Sequence, residues 1–122
     1  MIPNELSRVG SLVHFIEKDL DGLGVGVCLD FGHAHIDGDL VDAIETVSGH
    51  LATTHVHDNR GRTDEHLVPF DGAIDWPASM TAIQKVGYDE TLLLEIGAQG
   101  PRKQTLVKAQ KARHRIERLL AD

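Results

Sequence analysis

The 122-residue chain is 41% hydrophobic and 25% charged, the balance of one soluble globular domain over 1–122 rather than of a disordered tail. No apolar run nears the roughly 18 residues needed to cross a bilayer, and no basic segment leads into an apolar stretch at the start, so membrane insertion and secretion have no support. Twelve Lys and Arg against nineteen Asp and Glu leave a net charge of -7, which disfavours general nucleic-acid binding, and the single Cys28 excludes an intrachain disulfide and suits a reducing cytoplasm.

Pro3 to Leu20 sets Val9, Leu12, Val13, Ile16 and Leu20 at helical spacing, with Asn4 or Ser7 available as a cap. Asp21-Gly22-Leu23-Gly24 breaks this helix, and Val25 to Leu29 is a short apolar run ending on Asp30, read as a buried parallel strand with Cys28 as an apolar filler within it. Asp37-Gly38-Asp39 offers a turn and a cap before Leu40, Ala43, Ile44 and Val47, a second helix that stops near Gly49. Leu51 to Val56 is β-prone and delivers His55, His57 and Asp58 at its carboxyl end. Asn59 to Gly72 is polar and without apolar period, a long loop of the kind that carries function. Asp75 caps a third helix with Pro77 in its first turn and Met80, Ile83 and Val86 on one face. Thr91 to Leu94 is a third apolar strand running into Glu95, and Arg102 to Leu120 closes the chain as a helix with Leu106, Ala109, Ile116 and Leu120 on one side.

The predicted order is therefore αβαβαβα, an α/β fold with three parallel strands and four helices joined by right-handed crossovers. Three parallel strands alone leave an inner face and two edges uncovered, which favours a homo-oligomer in which another copy covers them.

Each strand ends on a residue able to ligate a metal: Asp30, His55 and Glu95. Parallel strands bring these ends to one rim, where βα architectures build their sites. Imidazole with carboxylates suits zinc, manganese, iron or cobalt better than calcium. His33 and His35 after the first strand, and Asp64 and His66 in the long loop, add further donors. His14, His50 and His114 are given no role, and Gly24 and Gly26 do not make a dinucleotide fingerprint.

The motifs Leu29-Asp30-Phe31-Gly32-His33, His55-Val56-His57-Asp58-Asn59, Asp64-Glu65-His66 and Leu94-Glu95-Ile96 resemble the xylose-isomerase-like TIM-barrel superfamily, which includes sugar phosphate isomerases and epimerases and endonuclease IV. The resemblance implies a partial (βα) TIM barrel, the carboxyl-terminal half with strands six to eight. It implies one divalent metal, Mn, Zn or Co, held by Asp30, His55 and Glu95; the family's first glutamate ligand has no counterpart in this sequence. Asp64 and His66 match the Asp-x-His metal pair of endonuclease IV. The same resemblance makes Glu95 and His33 the catalytic residues, and sets His33, His57, Arg60 and Arg62 against a sugar or sugar phosphate. The implied reaction is isomerisation or epimerisation by proton transfer beside a metal-polarised carbonyl. A catalytically incomplete module that binds metal or polyol is the alternative, and an abasic-site nuclease the third.

Overall fold

The computed structural model describes residues 8–20, 22–97 and 100–121. Its elements are α1 (Arg8–Asp19), β1 (Val27–Asp30), α2 (Phe31–Asp37), α3 (Leu40–Thr46), β2 (Leu51–Val56), α4 (Trp76–Lys85), β3 (Leu92–Leu94) and α5 (Arg102–Leu120). The expected caps Asn4 and Ser7 and the Val9 side chain lie outside the described residues. The fold is α/β with one parallel sheet in the order β1-β2-β3.

Local chemistry explains the boundaries. Asp39 accepts from the Asp42 amide at 3.2 Å to open α3, and Asp75 accepts from Ala78 at 3.0 Å to open α4. Gly87 takes a φ of +77° just past α4, the left-handed turn that glycine adopts without a Cβ penalty. Helix α2 is a correction to the expected four helices: residues 31–37 show no apolar period, but Asp30 caps them by accepting from the His33 amide at 2.9 Å. The carboxylate at the end of β1 thus also starts a helix.

The core runs from Val13 and Ile16 of α1 through Leu29, Phe31, Ile44, Val56, Trp76 and Met80 to Ile116 of α5. Phe31 stacks on Trp76 with centroids 6.0 Å apart. Side chains alternate across a strand, so Val27, Leu29, Thr54 and Val56 are buried while Cys28 and Leu93 are exposed on the other face. The expectation of a buried Cys28 is thus overturned, because only one face of this sheet is covered by helices. Leu12 and Leu106, expected on apolar stripes, are also exposed; on α5 Ile116 is buried as expected, and Ala112 is buried with it. Among the described residues no helix is long and apolar enough to cross a membrane.

Candidate functional site

The strand register assembles the site. Asp30 at the end of β1 pairs with His55 of β2, His55 pairs with Leu93 of β3, and Glu95 follows two residues on, its amide donating to the Val56 carbonyl at 3.0 Å. The two-residue period puts Asp30, His55 and Glu95 on the open face. His55 Nδ1 lies 3.3 Å from Glu95 Oε2, and the three residues each offer a donor atom within 4.8 Å of the others. Donors bound at about 2.0–2.2 Å to one ion stand about 3–4 Å apart, so His55 and Glu95 are already at ligand spacing and Asp30 lies close enough to join them on a single divalent cation. A cleft of about 520 Å³ opens beside them, lined in part by Cys28, Asp30, His33 and Asp37.

A second group stands next to the first. The Asp64 carboxylate accepts from His33 Nε2 at 2.9 Å and lies 3.2 Å from His66 Nε2. The hydrogen bond to Asp64 raises the His33 pKa above its ordinary value, against a smaller opposing effect of burial. Burial works against the charge on His66, but the Glu95 carbonyl, 3.0 Å from Nδ1, and the Asp64 carboxylate outweigh it, so that pKa is raised too. Both ring nitrogens of His66 face acceptors, a surrounding that only the imidazolium satisfies. Burial alone would raise the Asp64 pKa, yet the two imidazoles lower it. His66 holds a φ of +54° and Phe70 one of +81°, left-handed values that a non-glycine residue keeps only where its surroundings dictate them.

Phe70 is held there by Asp58. This wholly buried carboxylate accepts from the amides of Asn59 (2.8 Å), Phe70 (3.0 Å), Gly72 (3.1 Å) and Ile74 (3.1 Å) and from Trp76 Nε1 (2.8 Å). Its backbone pairs in both directions with Leu67 at 2.8 Å. At Gly72 a Cβ would come within 2.4 Å of Asp58 Oδ1, so no side chain fits there. Asn59, also buried, donates to the Gly32 carbonyl at 3.0 Å and accepts from Gly61 at 2.8 Å. The long loop is therefore a fixed structure, tied to the end of β2 and the start of α4.

The other predicted residues are placed as follows. His57 is wholly buried beneath the rim, with Nε2 2.8 Å from Asp30 Oδ1 and its ring stacked on His66 at 3.9 Å and 2°. His57, His66 and Glu95 also have donor atoms within 4.8 Å of one another, but two parallel ring planes share no point, and an imidazole ligates in its own plane. One ion cannot sit on both rings as they stand. Arg60 folds back on Glu65, with Nη1 2.8 Å from Oε2, while Arg62 is exposed. His35 belongs to neither group, and its buried Nε2 has no hydrogen-bond partner among the described residues. Asp58, Asn59 and Trp76 were missed as site-building residues; the polar run His57-Asp58-Asn59 directly after an apolar strand was their one visible signal.

A model of the xylose isomerase-like TIM barrel family matches residues 7–119. The chain belongs to that family. Over 72 residues it is 43% identical to the y4fM protein of Sinorhizobium fredii, covering 58% of this chain and 23% of the relative. Over 83 residues it is 31% identical to the MJ1311 protein of Methanocaldococcus jannaschii, covering 66% of this chain and 28% of the relative. Among solved structures, a D-tagatose 3-epimerase-like protein superposes with a TM-score of 0.76 at 25% identity, covering 92% of this chain and 40% of that one. A xylose isomerase domain protein of Planctomyces limnophilus does so with a TM-score of 0.75 at 18% identity, covering 93% and 44%. The chain thus spans about a quarter of the curated relatives and less than half of the solved chains.

Proposed function

We propose that this chain supplies the metal-binding wall of a divalent-metal-dependent isomerase or epimerase acting on a sugar or sugar phosphate. One observation carries the reading: Asp30, His55 and Glu95, from three neighbouring strands, bring their donor atoms within 4.8 Å of one another on the open face. Asp30, His55 and Glu95 would hold a Mn, Zn or Co ion, which would supply charge stabilisation for the oxyanion that develops when a carbon beside a carbonyl loses its proton. Glu95, 41% exposed at its side chain, is the base that takes this proton. His33, 60% exposed and held by Asp64, presents its imidazole to a substrate hydroxyl, and Arg62 is free to meet a phosphate or hydroxyl; Arg60 must first release Glu65.

The uncovered face with Cys28 and Leu93 supports self-association, since a second copy would shield it, and the lone cysteine suits a cytoplasmic setting. In the test, the protein is loaded with Mn and assayed on ketose epimers, with excess chelator and Glu95→Gln as the two perturbations. Loss of the base lowers turnover by about 10²–10⁴-fold, and turnover that persists in chelator refutes the reading. A metal- or polyol-binding module without turnover is the alternative, favoured by the presence of one glutamate in the triad. The Asp64 carboxylate shared by His33 and His66 favours the third reading, an abasic-site nuclease, and incision of an abasic duplex would select it.

A further inference from the structure

We propose that His57 is the positioning residue of the cation site, fixing which oxygen of Asp30 is offered to the metal. The inference rests on the metal-binding reading above and adds to it a residue that touches neither ion nor substrate. Asp30 Oδ1 accepts from two donors, His57 Nε2 at 2.8 Å and the His33 amide at 2.9 Å. Those bonds occupy that oxygen. Oδ2 makes no hydrogen bond among the described residues, and His33 Nδ1 stands 3.9 Å from it, so Oδ2 keeps its lone pairs for a cation.

The direction of the bond follows from the chemistry of its partners. An ionised carboxylate only accepts, so His57 carries its proton on Nε2 and donates. The opposite nitrogen, Nδ1, is buried, has no hydrogen-bond partner among the described residues, and lies 4.0 Å from the nearest Asp64 oxygen. The bond to Asp30 therefore selects the tautomer.

The ring has little freedom to leave this pose. It is wholly buried, so a substrate does not reach it. It lies against Gly32, where an added Cβ would come within 2.1 Å of its Cε1, and it stacks on His66, itself tied to the Glu95 carbonyl at 3.0 Å. The absence of a side chain at residue 32 makes the room for the imidazole. One ring thus links the β1 carboxylate to the loop that carries Asp64 and His66.

The test uses reach as its variable. In His57→Gln the amide nitrogen stands as many bonds from Cα as Nε2 does and can still donate to Asp30; in His57→Asn the same amide falls short. Mn affinity of the full chain, read by calorimetry and by the Mn electron-resonance signal, is expected to fall about 10–100-fold in His57→Asn and in Gly32→Ala, and to be largely kept in His57→Gln. His57→Asn that binds Mn as tightly as the parent, or His57→Gln that loses as much as His57→Asn, overturns the inference. A parent protein that binds no Mn overturns the metal reading itself. Nitrogen-15 NMR of the metal-free parent needs no variant to fold: protonation of His57 at Nε2 is expected, and a ring protonated at Nδ1 alone overturns the inference whatever the metal does.

Discussion

Replacing Asp58 by Asn should be among the most damaging single changes in this chain, although the side chain keeps its shape. Oδ1 accepts from two backbone amides and Oδ2 from two amides and the Trp76 indole. An amide side chain has one oxygen. Placed at the three-donor position, it leaves its NH₂ facing the amides of Asn59 and Ile74. Each buried donor left unpaired costs about 1–3 kcal/mol, so two cost about 2–6 kcal/mol, before the weakening of the remaining bonds on loss of the charge. Against a typical total stability of about 5–15 kcal/mol, that removes a large share. The assay is urea unfolding followed by far-ultraviolet circular dichroism, a readout that survives replacement of Trp76, the one tryptophan, whose indole donates directly to Asp58. Trp76→Phe is the internal control: it removes one donor and leaves four, and should cost less than Asp58→Asn once lost packing is matched. A change below about 1 kcal/mol for Asp58→Asn would refute the view that this carboxylate organises the loop.

Two further outcomes follow from the charges on the rim. In metal-free protein the raised pKa values of His33 and His66 give stability that is complete below about pH 6.5 and lost as pH rises through the raised values, while the lowered pKa of Asp64 gives stability present above about pH 3.9 and lost below it. The stability difference between parent and Asp64→Asn should therefore be largest between about pH 4 and 6.5 and shrink toward pH 9; a difference that stays constant over that range contradicts the pairing. Cys28 is exposed, yet burial of its surroundings and the charges of Asp30 and Glu95 raise its thiol pKa. Alkylation by iodoacetamide at pH 7.5 should be slower than that of a free thiol and should speed up in Asp30→Asn, and equal rates in parent and variant would show that Asp30 does not act on the thiol.

The juxtaposition of Asp30, His55 and Glu95 was legible in the sequence because each strand run carries an acid or an imidazole near its carboxyl end, and parallel strands bring like ends together. The family motifs agreed with that arithmetic. Helix α2 was not legible, since Gly32, His33 and His35 break any apolar period and the helix is started by a cap rather than by a stripe. Cys28 was misread because a continuous apolar run implies burial on both faces, and here the second face is open. His57 shares parity with His55, which suggests a common face, but β2 ends at Val56 and the chain turns inward immediately after it. Asp58 looked like one more loop acid; its partners lie up to 18 residues away, beyond any local pattern.

The rim is therefore held in two physically different ways. Register holds Asp30, His55 and Glu95, each on or next to a strand whose pairing a one-residue slip would invert. A buried carboxylate holds the loop, accepting from the amide of Phe70, whose left-handed conformation its own side chain disfavours. Arg115, 3.7 Å above the Phe70 ring, adds a clasp from α5, as does Lys108 paired with Asp71. His57 is where the two supports meet, bonded to the register-held Asp30 and stacked on the loop-held His66. Changes at Asp58 should therefore disturb the Asp64 and His66 group before the strand-end triad, because only the former depends on the loop, whereas changes at His57 reach Asp30 directly.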